Sequence, residues 1–194
     1  MIQNKIKRIA IFASGNGSNA QRIAEYFADN ANVEIALILS NKKDAFVLER
    51  AKTLQIPAFY FPKSQFLSGK DIIALLESYQ IDLIVLAGFL LLIPKSIIDA
   101  FPNQIVNIHP ALLPKYGGKG MFGNHVHEAV ITSNEKESGI TIHFVNEKYD
   151  DGTYIFQATC DISPTDTPDS LAQKIHALEH EHLPKIIEKL LFIE

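Results

Sequence analysis

Asn107 and His109 stand two positions apart at the end of the apolar run "QIVNIH", and Pro110 follows them directly. In an extended segment residues two apart share a face, so the amide and the imidazole project together while Val106 and Ile108 point the other way. Proline keeps the preceding residue extended and ends the strand there. A strand buried on both faces should carry apolar residues at such positions. One reading is that both side chains only satisfy loop backbone groups. The other is chemical: an amide donor and a titratable ring converging on one substrate oxygen, as they would to stabilise an oxyanion. Such a site wants a carboxylate to hold the imidazole charged, and the turn "YDDG" offers Asp150 and Asp151. A DDG turn is also plain hairpin chemistry.

Two further stretches carry candidate chemistry. "SGNGSN", Ser14 to Asn19, sits between an apolar run and a helical pattern, where an open α/β sheet places phosphates on free N–H groups at a helix start. With only Gly15 and Gly17 present, the dinucleotide fingerprint G-x-G-x-x-G fails, and so does the lysine-bearing P-loop pattern. Its bland reading is a tight turn in which Ser18 or Asn19 caps the helix. "HALEH", residues 176–180, matches H-x-x-E-H, with His176 and His180 on one helical face beside Glu179. A zinc hydrolase would need a third ligand, for which the sequence offers no obvious candidate. His125 and His127, at i and i+2 of a helix, face different ways and read as loop and helix surface.

These residues need a scaffold. "RIAIFA", "VEIALILS", "PAFYF", "LIVLAG" and "QIVNIH" read as strands, alternating with helices near "SNAQRIAEYFADN", "DAFVLERAKTL", "GKDIIALLESY" and "KSIIDAF". That alternation predicts βαβ units and a parallel sheet. A helix near "NHVHEAVITSN" then precedes "SGITIHFV" and "TYIFQATCDI", which alternate as antiparallel strands do. From Pro168 the pattern predicts a long helix, capped by Thr167 or Asp169 and kinked or divided at Pro184. The expectation is one α/β domain over residues 1–194: a mostly parallel sheet flanked by helices, with antiparallel strands late in the chain.

"SGNGSN", "LAGFLLLIP", "NIHPALLPKYGG" and "YDDGTYIFQA", in this order and at these spacings, resemble the glycinamide ribonucleotide formyltransferases of purine synthesis, over nearly the whole chain. The resemblance implies a Rossmann-like formyltransferase fold, 10-formyltetrahydrofolate as formyl donor and 5-phosphoribosylglycinamide as acceptor, with no metal. It implies Asn107, His109 and Asp150 as the catalytic set. Gly15, Asn16, Gly17, Ser18 and Asn19 match the turn that holds the acceptor phosphate, with His176 near it and Glu179 on the ribose hydroxyls. Phe89, Leu90, Leu91, Leu92 and Ile93, with Asn107, Val145, Asn146 and Asp150, match the folate pocket. Many members have Met-Arg after "AGF"; here Leu90 and Leu91 leave pterin binding to backbone groups. The loop "YGGKGMFGNHVH" is longer and richer in glycine than the common form, and is expected to be a mobile cover.

The composition bounds the partners. With 47% hydrophobic and 21% charged residues and a formal charge of -4, the chain reads as a folded protein without the electrostatic footprint of a nucleic-acid binder. A relative acting on initiator methionyl-tRNA would carry an extra carboxyl-terminal domain; a chain of 194 residues with net negative charge points to a small phosphorylated acceptor. The single cysteine, Cys160, excludes an intramolecular disulfide. No apolar stretch is long enough to span a bilayer. The expectation is a cytoplasmic monomer or homodimer. A regulatory domain that had lost catalysis would keep the Gly17 loop without needing Asn107, His109 and Asp150 together.

Overall fold

The sheet order reverses at one place, and that reversal makes the site. In the computed structural model, which describes residues 5–192, strands β1 (Lys7–Phe12), β2 (Val33–Ser40), β3 (Ala58–Tyr60), β4 (Leu83–Leu86), β5 (Ile105–His109), β6 (Glu137–Phe144) and β7 (Tyr154–Asp161) lie in the order β3-β2-β1-β4-β5-β6-β7. Strands β1 to β5 pair in parallel, and β6 and β7 join antiparallel. The chain runs from β1 outward to β2 and β3, then returns to place β4 on the other side of β1. Loops leaving β1 and β4 therefore diverge at their carboxyl ends and open a crevice.

Period-two burial on the central strands builds two cores. Ile9, Ile11 and Val85 face one side, with α1 (Ser18–Phe27), α2 (Phe46–Thr53), α6 (Asn124–Thr132) and α7 (Pro168–Phe192). Ala10, Phe12 and Ile84 face the other, with α3 (Lys63–Ser68), α4 (Lys70–Ser78) and α5 (Lys95–Ala100). Helix α3 is an addition to the expected elements: Gly69, at φ 71°, closes it and starts α4 in one residue.

Two expectations about helix ends change. Neither Ser18 nor Asn19 caps α1; the cap position is Gly17, at φ 77°, with no side-chain hydrogen bond, so the first N–H groups of the helix are left to other partners. Helix α7 does not divide at Pro184: its 25 residues run without a break. Proline cannot donate to the carbonyl of His180 one turn earlier. Arg22 of α1 donates to that carbonyl instead, Nε to O at 3.3 Å, while Leu183 and Ile187 on either side of the proline are fully buried. At the start of α7 it is Thr167 that caps, its Oγ1 accepting from the Ser170 N–H at 3.2 Å.

Candidate active site

The crevice is tied together by one buried serine. Ser14, at the end of β1, donates its N–H to Gly88 O (3.0 Å) and its hydroxyl to Asn41 Oδ1 (2.6 Å), and accepts the Leu90 N–H on Oγ (3.0 Å). The turns after β1 and β4 thus share one anchor. Between them lies a cavity of about 600 Å³, lined among others by Gly15 to Asn19, Gly88 to Leu90, Asn107, His109, Asp150, His176 and Glu179.

Strand β5 delivers the polar pair as its pattern requires. Val106 and Ile108 lie in the α1/α7 core, Ile105 lies in the opposite one, and Asn107 and His109 continue the Ile105 face beyond the core, at the strand tip. Antiparallel pairing with β6 sets His143 opposite Asn107 and Thr141 opposite His109. Thr141 Oγ1 donates to Ala111 O (2.7 Å) and accepts from Leu113 N–H (3.0 Å), which fixes the path of the chain just after His109. The β6–β7 connection brings in Asp150, whose backbone adopts φ 53°.

These side chains form a connected set. His143 is buried, and its Nδ1 lies 2.8 Å from Phe144 O; a carbonyl only accepts, so Nδ1 carries the proton. With Nδ1 so committed, Nε2 is placed to accept, and Asn107 Nδ2 donates to it at 3.1 Å. Asn107 Nδ2 also reaches Asp150 Oδ1 at 3.4 Å, and Asp150 Oδ2 accepts the Gly118 N–H at 2.8 Å. His109 donates Nε2–H to Tyr116 O at 2.8 Å and turns Nδ1 toward Asp150 Oδ2 at 3.5 Å.

The expected pull of Asp150 toward a charged His109 is present and is opposed by burial. Desolvation dominates and pulls the His109 pKa below its ordinary value, against the opposing pull of the Asp150 charge and the Tyr116 carbonyl. Nε2, which donates to the Tyr116 carbonyl, carries a proton. For Asp150 burial alone would raise the pKa, but the neighbouring His143 and His109 imidazoles and the Gly118 N–H bring it below the ordinary carboxylate range. In the pair, burial opposes charge on each group while their mutual attraction favours it.

At the other end of the cavity, the Gly15–Asn19 turn presents the uncapped start of α1, a favourable place for an anion. Asn19 Nδ2 donates to Glu179 Oε2 at 2.9 Å. Glu179 is buried, so desolvation raises its pKa, with the Asn19 hydrogen bond and His176 opposing.

Residues 7–187 match the family model described as formyl transferase. The chain belongs to the formyl transferase family. Over 187 residues it is 42% identical to the "Phosphoribosylglycinamide formyltransferase, chloroplastic" of Arabidopsis thaliana, covering 93% of this chain and 64% of that protein. It thus spans less than two thirds of that plant relative. It is 38% identical to the phosphoribosylglycinamide formyltransferase of Bacillus subtilis over 191 residues, 96% of this chain and 95% of that one. The crystal structure of phosphoribosylglycinamide formyltransferase from Bacillus halodurans superposes with a TM-score of 0.86 at 38% identity, covering 96% of both chains. The seven-stranded, mostly parallel sheet of this formyl transferase is the architecture expected from its sequence.

Among the residues expected on the donor side, Phe89 and Leu90 line the cavity of this formyl transferase, with Phe89 edge-on to Phe12 at 5.3 Å between ring centroids. Leu91, Leu92, Ile93, Val145 and Asn146 are not part of its lining. Ile93 is buried in the α4/α5 core, with Leu91 and Val145 packed against it. Leu92 is exposed, and Asn146 serves the β6–β7 turn, accepting the Lys148 N–H at 2.9 Å. The Leu90 N–H, on the segment expected to bind through its backbone, is taken by Ser14.

The hydrolase alternative finds no support. His176 and His180 stack with ring centroids 6.5 Å apart, and among the described residues no three His, Cys, Asp or Glu side chains group as a metal site would require. Sequence reasoning missed two histidines of this site. His127, expected at the surface, is buried and lines the cavity, with Nδ1 lacking a hydrogen-bond partner. His143 sits in "SGITIHFV" on the same period-two face as Thr141, a signal visible only once the register with β5 is known. No helix among the described residues is long and apolar enough to cross a membrane.

Proposed function

We propose that this formyl transferase moves a formyl group from 10-formyltetrahydrofolate to the amine of 5-phosphoribosylglycinamide in purine synthesis, giving the N-formyl product and tetrahydrofolate. The observation that carries the reading is the meeting of Asn107, His109 and Asp150 in one cavity with an uncapped helix start on its far side. The relatives of Bacillus subtilis and Arabidopsis thaliana bear the name of this activity.

The acceptor phosphate sits on the N–H groups of the Gly15–Asn19 turn, with His176 beside it and Glu179 on the ribose hydroxyls. The folate ring enters along Phe89 and Leu90 and the part of the β6–β7 connection that lines the cavity, Tyr149 and Asp150. Glycines 117, 118, 120 and 123 let the loop after Tyr116 adjust over it. As the amine attacks, charge grows on the formyl oxygen. Asn107 meets it by exchanging its long contact with Asp150 for the oxyanion, and His109 by offering the Nε2–H now held by the Tyr116 carbonyl. Ionised Asp150 takes a proton, through water, from the attacking amine and passes it to the leaving folate nitrogen. Both substrates are small molecules, and the reading has the protein working in the cytoplasm as a monomer or homodimer, on neither nucleic acid nor membrane.

The test mixes the protein with 10-formyltetrahydrofolate and 5-phosphoribosylglycinamide and follows tetrahydrofolate release. Release that depends on the acceptor is expected. No release, or release only with a different amine, overturns the substrate assignment. Asn107→Ala removes one oxyanion donor and should lower turnover about a hundredfold or more.

A further inference from the structure

The Gly15–Asn19 turn is gripped from behind by α2. Val47 N–H donates to Gly15 O at 3.1 Å. Arg50 donates Nε to Asn16 O at 2.8 Å and Nη2 to Asn16 Oδ1 at 2.6 Å, and its remaining guanidinium nitrogen reaches Gln21 Oε1 on α1. The guanidinium is steadied in turn by the Phe46 ring, 4.9 Å below it. One planar group thus touches the turn twice and the helix that follows it once.

The consequence lies in the peptide plane. In a trans peptide the carbonyl of one residue and the N–H of the next point in opposite directions. Holding the Gly15 and Asn16 carbonyls toward α2 therefore turns the N–H groups of Asn16 and Gly17 away from it, into the cavity these residues line. With no side-chain cap on α1, nothing in its own first turn sets that direction. We infer that Arg50 is a positioning residue for acceptor recognition: its fork on Asn16 aims the backbone donors at the phosphate of the acceptor without touching the phosphate itself. The inference rests on the proposed acceptor.

Lysine keeps the charge but cannot span Asn16 O, Asn16 Oδ1 and Gln21 at once. Arg50→Met and Arg50→Lys, assayed with each substrate varied in turn, separate aim from charge. Both should raise the KM for the phosphorylated acceptor, Arg50→Met by about tenfold, the cost of one lost charge-assisted hydrogen bond. Turnover at saturation and the KM for the folate should stay near wild type. Full rescue by lysine would reduce Arg50 to a point charge and overturn the inference. So would an unchanged acceptor KM, or equal losses for both substrates alongside a lowered melting temperature. If the wild-type protein shows no turnover, the acceptor assignment fails, and inorganic phosphate then tests the turn directly. Phosphate should raise the melting temperature of the wild-type protein more than that of Arg50→Met; equal shifts would overturn the inference on this arm too.

Discussion

Asn107 and His143 face each other across the β5–β6 pairing, Nδ2 to Nε2 at 3.1 Å. The proton of His143 is committed to the Phe144 carbonyl, so the lone pair at Nε2 decides which way the Asn107 amide points. Without it the amide is free to turn its oxygen toward the reaction, where a donor is needed. His143→Phe keeps the volume and removes the acceptor. It should lower turnover by about 10- to 100-fold, a typical cost of misplacing a group near the chemistry. The melting temperature should stay close to wild type, and the KM values should change little. Undiminished turnover in that variant would mean Asn107 is oriented by something else.

Glu179 presents a trade between stability and binding. The residue is 6% exposed, with Asn19 as its direct hydrogen-bond partner, and burial raises its pKa. An ionised group so placed costs the ligand-free fold stability that the ribose hydroxyls would return by hydrogen bonding. Glu179→Gln should therefore melt higher, by about 1 kcal/mol in unfolding free energy. The same change should raise the acceptor KM and leave the folate KM alone. Chemical denaturation and steady-state kinetics on one preparation check both halves.

The sheet was legible because its strands announce themselves by burial pattern; "VEIALILS" became β2 over the same residues, Val33–Ser40. Asn107 and His109 were legible for the opposite reason, as two polar residues breaking an apolar strand. What the sequence hid was pairing. His143 looks like one more residue of an alternating strand until β6 is set against β5, and Arg50 looks like a solvated helix residue until α2 is set beside the Gly15 turn. The electrostatics of His109 were only half legible, because a carboxylate can be read from sequence spacing, whereas the burial that opposes it is a property of the assembled crevice. Pro184 was expected to kink or divide its helix, and the donor that spares the division, Arg22, is remote in the chain.

Acid should unfold this protein earlier than its carboxylates alone require. His109 and His127 both have pKa values lowered by burial, so the unfolded chain binds more protons than the fold once pH drops below about 6.5. Stability then declines with falling pH until the folded values are reached. Glu179 works the other way: its raised pKa means the fold gains a proton first, adding stability as pH falls from its folded value toward the unfolded one. Melting curves between about pH 7.5 and 5 should show a net decline. His127→Gln should flatten it, and Glu179→Gln should steepen it. Parallel pH profiles for the three proteins would contradict the assignment of these groups.

The two glycines of "SGNGSN" have unequal duties. Gly17 sits at φ 77°, and a Cβ there would collide with Val47 of α2. Gly15 has nothing within 4 Å of where a Cβ would lie. Gly17→Ala combines a left-handed backbone with an overpacked contact and should cost about 2–4 kcal/mol. Gly15→Ala should cost less than about 1 kcal/mol, the usual range for a substitution that meets neither strain nor contact. Relief of the collision has a direction: Val47→Ala in the Gly17→Ala background removes Cγ2, one of the two side-chain atoms it strikes, and should recover part of the stability while the contact with Cβ and the backbone strain stay. Acceptor binding is expected to follow the same order, because α2 holds the turn through the Gly15 carbonyl and through packing on Gly17. Equal losses at both glycines, or no recovery with the smaller side chain at position 47, would show that the turn is held by other contacts.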